Sequence, residues 1–203
     1  MPRKDFASGA IHRPYSTYPI GINPRNNLNQ ISNAWASWST GAASVTPNAT
    51  ANPFGTSDAA KLVESATTAN HVVQNNPNTG GFCLQGQWFC FQVWAKAAER
   101  SKIGLSPRSA AFGSTNCQAW YNLATGAIGG VQAGAIARIQ AGPSSWYLCQ
   151  LAAQCTTSTT AYLIISIENA GGFLESYLGD GSSGIYAYQA WMFQVNPSFP
   201  FSP

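Results

Sequence analysis

The sequence predicts an all-β protein built as a sandwich of antiparallel strands. Three observations carry that prediction. Short β-prone segments arrive every ten to fifteen residues with turn formers between them, the spacing of a two-sheet β-protein. Only 8% of the 203 residues are charged, against about a quarter in ordinary domains, and Gly, Ser, Thr, Asn, Gln and aromatics take their place. The segment Ile185 to Val195 contains no proline, glycine or charge, as expected of a strand covered on both faces. The glycine-rich turn Gly179-Asp180-Gly181-Ser182-Ser183-Gly184 runs directly into it and makes it the closing strand.

Residues 1–27 read as an extended arm. Pro2, Pro14, Pro19 and Pro24 oppose helix and central strand, while Phe6, Ile11, Tyr15, Tyr18, Ile20 and Ile22 are too apolar for a solvated tail. With Arg3, Lys4 and Arg13 they suit an arm lying along a neighbouring chain; a disordered terminus is the alternative.

The body spans residues 28–195. Trp35 and Trp38 are packing residues at the sandwich edge. Strands are expected at 44–51, 59–64 and 71–74, with turns at 53–58 and 75–81. Residues 87–96 alternate most clearly. Phe89, Phe91, Val93 and Ala95 take the core face; Trp88, Cys90, Gln92, Trp94 and Lys96 take the other, whose mixture of polar and aromatic groups suits a groove or an interface. After a turn at 97–101, a strand resumes at 102–106. Residues 118–123 alternate again, with Ala119, Tyr121 and Leu123 inward and Gln118, Trp120 and Asn122 outward. Gly129, Gly130 and Gly134 argue against helix in 128–139, which reads as two short strands. Segments 145–151 and 162–167 are further strands. Residues 196–203, with three prolines, Phe199 and Phe201, form a short packed or partner-bound tail.

The order of several pieces resembles the jelly-roll domains, similar to carbohydrate-binding modules, found in virion proteins of tailed bacteriophages. The matching pieces are Asn33-Ala34-Trp35, residues 53–64 from Pro53-Phe54-Gly55 to Val63-Glu64, His71-Val72-Val73-Gln74, residues 93–100, Asn122-Leu123-Ala124-Thr125-Gly126, Ser145-Trp146-Tyr147-Leu148-Cys149 and residues 179–186. The resemblance implies a jelly-roll β-sandwich and a virion role, as capsid decoration or tail-surface protein, often touching host-surface glycans. It implies no enzymatic activity. Leu148 stands where that family has Arg after Trp-Tyr, and Gln189-Ala190-Trp191-Met192-Phe193 replaces a more polar ending. Matching to the family places Tyr186, Tyr188, Ala190 and Met192 in the core. Gln189, Trp191 and Phe193 then become candidates for a subunit interface.

The chemistry of the residues agrees with a non-enzyme. His12 and His71 are the two histidines, and the seven carboxylates form no paired set at motif spacing. No nucleophile elbow, phosphate loop or zinc motif occurs. A net charge of +3 implies no nucleic-acid partner, no window is apolar enough to span a membrane, and no signal peptide is visible. The five cysteines read as buried thiols of a protein made in the host cytoplasm, with Cys83 and Cys90 on one strand face and a Cys149–Cys155 bridge as the alternative.

Glycan binding is the sharper expectation. Sugar sites stack a ring on an aromatic face and hydrogen-bond its hydroxyls. Trp88, Gln92, Trp94 and Lys96 offer this from one strand and Trp120 from another; packing between sheets or subunits is the alternative for the same tryptophans. No cofactor is expected. A structural calcium on loop carboxylates such as Asp180 and Asp58 competes with Asp180 as a plain turn former. The expected partners are other virion proteins, further copies of the chain, with a trimer as the working guess, and a host polysaccharide. The alternatives are a carbohydrate-binding receptor-recognition module of a tail fibre or spike, and a secreted bacterial lectin or adhesin.

Overall fold

The computed structural model describes residues 27–29, 35–75, 81–107, 110–113 and 117–195. The arm residues Arg3, Lys4, Phe6, Arg13, Tyr15 and Tyr18, and the tail after Val195, lie outside the described residues.

The chain forms β1 (Asn27–Asn29), β2 (Ser39–Gly41), β3 (Ala43–Thr50), β4 (Ala59–Glu64), β5 (Thr68–Asn70) and β6 (Val72–Gln74). It continues through β7 (Gly81–Cys83), β8 (Trp88–Ala97), β9 (Lys102–Pro107), β10 (Ala119–Asn122), β11 (Ala127–Val131) and β12 (Ala135–Ala141). The last strands are β13 (Tyr147–Gln154), β14 (Thr159–Ala161), β15 (Leu163–Glu168), β16 (Ser176–Leu178) and β17 (Gly184–Val195). Single 3-10 turns occur at Trp35–Ser37, Ala110–Phe112 and Pro143–Ser145.

The architecture is an antiparallel jelly-roll β-sandwich. One sheet runs β12-β13-β8-β17-β4-β3, with β1 added beside the C-terminal half of β17. The other runs β11-β10-β9-β15-β6-β2. The pairs β7–β14 and β5–β16 form two small ribbons.

Alternation along the strands builds the core. Phe89, Phe91, Val93 and Ala95 face inward as expected, and meet Ile103, Leu105, Tyr121, Ile165 and Ile167 of the facing sheet. Ala119, Tyr121 and Leu123 are also inward, and residues 128–139 do form two strands. Cys83 and Cys90 do not share a strand: Cys83 ends β7 and Cys90 lies in β8, with the 84–87 turn between them. All five cysteines are free and buried. Burial pushes the Cys83 and Cys117 thiols up to about 12, so they stay protonated and unreactive at neutral pH.

The closing strand corrects the expected assignment of faces. Ile185 and Ala187 point into the core, as do Ala190 and Met192. Tyr186 and Tyr188 lie on the opposite face, with Trp191 and Phe193. The phase changes because Gln189 is an extra residue: Tyr188 pairs with Trp94 and Ala190 with the adjacent Val93. Gln189 sits at φ 45°, the left-handed backbone of a β-bulge, uncommon for a non-glycine residue. An unbroken alternation through the bulge is what misplaced the two tyrosines.

Glu64, at the end of β4, anchors the turn into β17. Its side chain is buried and accepts Arg100 Nε at 2.9 Å and Nη2 at 2.6 Å, the Tyr177 hydroxyl at 2.7 Å and the Asp180 backbone N–H at 2.9 Å. Asp180 in turn accepts the backbone N–H groups of Ser182 and Ser183 and both their hydroxyls. Its carboxylate is thereby held well below the usual range, chiefly by the Ser183 hydroxyl.

Candidate functional site

Five of the seven tryptophans are buried: Trp35, Trp38, Trp94, Trp146 and Trp191. Trp88 and Trp120 are half-exposed. This division decides which aromatic surfaces are available to a ligand.

The outer face of the seven-stranded sheet is largely covered. Trp94 packs with Leu148, Trp146, Tyr188 and Ala59, and Phe54 sets its ring edgewise against both Trp94 and Tyr188, at 6.0 and 6.1 Å between centroids. Trp191 and Phe193 form a second cluster with Cys90 and Ala152, and are 9% and 2% exposed. Between the clusters, Gln150 donates to Gln92 Oε1 at 2.9 Å, and both glutamines are buried. Trp88 and Lys96 are half-buried and stand eight residues apart on β8, roughly 27 Å along a strand. Trp88, Gln92, Trp94 and Lys96 therefore share a face without converging on one open groove. Gln189 occupies the bulge, apart from the alternation that sets Trp191 and Phe193 on this face.

Trp120 lies on the other sheet. It follows from the inward positions of Ala119 and Tyr121 that Trp120 points to the outer face, flanked along the chain by Gln118 and Asn122. Neighbours two apart on a strand stand roughly 6.8 Å apart, which sets the Asn122 amide beside the ring; Gln118 precedes the strand. The Asn122 carbonyl oxygen accepts the Ala124 backbone N–H, which directs the side chain while leaving its amino group for other partners.

Glycines shape the seat of the indole. Trp120 pairs with Gly130, and a Cβ on Gly129 would overlap the six-membered ring at Cε3, Cζ3 and Cη2. A Cβ on Gly130 would stand 2.8 Å from Nε1, and one on Gly171 2.7 Å from Cη2. The indole thus lies against bare backbone of β11 and of the 169–175 loop. Gly171 has φ +101°, open to glycine and strained for other residues. Phe173, 39% exposed, approaches Gly130.

The charged groups nearby are tied down. Lys102 Nζ stands 6.0 Å from the Trp120 ring centroid and donates to the carbonyls of Asn169 and Ala170 at 2.9 and 2.7 Å. The Glu175 carboxylate accepts the backbone N–H groups of Asn169, Ala170 and Gly171. Glu168 is 1% exposed; it accepts the Ser166 hydroxyl and, at 2.9 Å, the Glu175 backbone N–H. Burial pushes its carboxyl up to about 7. Gly104, the strand neighbour of Trp120, leaves the space into which Ser166 and Glu168 lean.

This arrangement can stack a flat apolar face on the part-exposed indole and offer an amide hydrogen bond from Asn122. Among the described residues, no three His, Cys, Asp or Glu side chains come together as a metal site. Asp58 accepts Asn52 at 2.6 Å, far in the chain from the self-contained Asp180 turn. No helix among the described residues is long and apolar enough to cross a membrane.

No family model and no curated protein sequence matches the chain. Among solved structures, it is similar to a xylan-binding domain of carbohydrate-binding family 22, with 15% identity over 85% of this chain and 97% of that one, at a TM-score of 0.48. A second xylan-binding domain, CBM22-1 of Paenibacillus barcinonensis Xyn10C, has 8% identity over 84% and 92% of the two chains, at 0.46. A mannan-recognising module, TmCBM27, has 10% identity over 84% and 96%, at 0.37. At these scores the likenesses carry no argument about what this chain binds.

Of the expected glycan-site residues, Trp120 alone lies on the six-stranded sheet, partly exposed and packed against Gly129, Gly130 and Gly171. Gln118 and Asn122 were legible as its outward neighbours. The glycine seat, Lys102 and the 169–175 loop were not, because their contacts with Trp120 come from pairing and loop closure distant in sequence.

Proposed function

We propose that this chain is a non-catalytic glycan-binding module whose site is the outer face of the six-stranded sheet around Trp120. One observation carries the reading: a half-exposed indole rests on the Gly129–Gly130 backbone, with Asn122 beside it on the same strand and Gln118 just before that strand. Such a surface takes the apolar face of a sugar ring by stacking and its hydroxyls by hydrogen bonding. Affinity electrophoresis of the purified chain in a panel of bacterial and plant polysaccharides tests the reading. At least one polysaccharide should retard the wild-type chain and release Trp120→Ala, while Trp88→Ala stays retarded. Unretarded migration of the wild type in every gel removes it.

A second reading sets the module on a virion surface, as capsid decoration or tail-surface protein, held by residues 1–27. It is supported by the apolar anchors and prolines of that segment and by the pairing of β1, where the segment ends, with β17 at Phe193 and Met192. Trp191 and Phe193 lie on that sheet's outer face, opposite the core. Deleting residues 1–25 should abolish incorporation into particles and leave a folded domain. Normal incorporation of the truncated chain sinks this reading.

A further inference from the structure

Glu168 and Glu175 close a seven-residue strap onto itself. Glu168 ends β15, its carboxyl taking the backbone N–H of Glu175 and the Ser166 hydroxyl. Glu175, at the far end, takes three consecutive backbone N–H groups, from Asn169 to Gly171. The strap touches the Trp120 platform twice: Gly171 abuts the indole edge, and the carbonyls of Asn169 and Ala170 hold the Lys102 ammonium that stands over the ring.

The Ser166 hydroxyl and the Glu175 N–H meet the Glu168 carboxyl, but no positive charge among the described residues is paired with it. Lys102 is its direct partner across β9–β15, yet Nζ is spent on the two strap carbonyls. Glu175 has the same sign. Arg100 is committed to Glu64 through two bonds and to Asn169 Oδ1 at 3.0 Å. The Tyr177 hydroxyl donates to Glu64. No ion pair to Glu168 is present among the described residues. An ionised carboxylate buried there has two routes of relief: drawing Lys102 off the strap, or opening the strap to water. Either displaces a group that positions Trp120.

We propose that protonation of Glu168 is a pH switch for the Trp120 platform, the protonated acid holding the strap and Lys102 against the indole and the carboxylate releasing them. Glycan binding would then weaken as pH rises through neutrality. That consequence rests on the reading of Trp120 as the ligand platform; the switch itself does not. Burial raises the Glu168 carboxyl into the physiological range, which agrees with the geometry.

The test uses the whole chain labelled with 5-fluorotryptophan and followed by fluorine NMR from pH 5.5 to 8.5. The Trp120 resonance is assigned by its loss in Trp120→Phe. It should move with a single-proton midpoint of about 7, and the movement should vanish in Glu168→Gln. A Trp120 resonance that does not move in the wild type overturns the switch, as does a movement that survives in Glu168→Gln. If Glu168→Gln does not fold, Ser166→Ala serves: it removes a hydrogen bond that favours the carboxylate, so the midpoint should rise, and an unmoved midpoint counts against the proposal. Silence of the wild-type chain toward every glycan, with the fluorine titration intact, removes the glycan reading and leaves the switch. Glycan binding with no titration does the reverse.

Discussion

Arg100 grips Glu64 through two hydrogen bonds, Nε to Oε2 at 2.9 Å and Nη2 to Oε1 at 2.6 Å, and so joins the turn after β8 to the end of β4. Burial alone would raise the Glu64 carboxyl; Arg100, the Tyr177 hydroxyl and the Asp180 N–H outweigh it and hold the group below its ordinary value. Removing Arg100 strands a buried carboxylate. Arg100→Ala is expected to cost about 3–5 kcal/mol, read from the urea midpoint. Arg100→Lys should recover only part of this, because an ammonium lacks the fork that meets both oxygens. A loss under about 1 kcal/mol in Arg100→Ala would show that water replaces the guanidinium.

The bulge at Gln189 separates two halves of β17 with opposite phase. Gln189→Gly should be neutral or stabilise by up to about 1 kcal/mol, since glycine accepts φ 45° without strain. Deleting Gln189 should unfold the domain, because every side chain on one side of the deletion must change faces. Circular dichroism melts compare the three proteins. A deletion variant as stable as wild type would mean the strand slips freely in register.

Stability should report Glu168 with a defined sign. Its folded-state carboxyl lies above the unfolded value, so the unfolded chain ionises first as pH rises. The wild type therefore loses stability from roughly pH 4.5 to pH 7 at this site, by about 3 kcal/mol in all. Glu168→Gln lacks this loss and should gain on wild type by that order between pH 4 and pH 8. Glu64 has the opposite sign, giving stability that is lost as pH falls, but it is common to both proteins and cancels in the difference. Urea midpoints at the two pH values measure it, and a constant difference would contradict the burial argument.

The five thiols should be inert in the folded chain. All are buried, and burial raises each of them. Iodoacetamide at pH 8 should add nothing on the timescale that labels the urea-unfolded chain fully, as read by intact mass. Stoichiometric labelling of the folded protein at one cysteine would show local opening there.

Much of the sandwich was legible because alternation is a local signal. Residues 89–95 and 119–123 place their core faces by period alone, and the glycines of 128–139 divide that stretch into two strands. Other features depend on partners distant in the chain. Ile185 to Val195 is apolar on both faces, so nothing in it marks the residue at which the phase slips. Trp94 looks outward by period, and only the return of Phe54 shows that it is covered. Glu168 falls just past the expected strand 162–167, and nothing local marks it until the strap closes over it. Asp180 reads as a turn former and is one, with its carboxylate filled by Ser182 and Ser183. Trp120 was recognisable as outward; its seat on Gly129 and Gly130 follows from the β10–β11 pairing.

The central claim is that Trp120 forms the ligand platform. A glycan array probed in parallel with wild type and Trp120→Ala, both shown to be folded by their melts, tests it most directly. The wild type should bind a defined group of glycans, and Trp120→Ala should lose at least about tenfold in affinity for them, the loss of roughly 1.4 kcal/mol of stacking. Equal binding by the two proteins, or binding abolished instead by Trp88→Ala, would contradict the account.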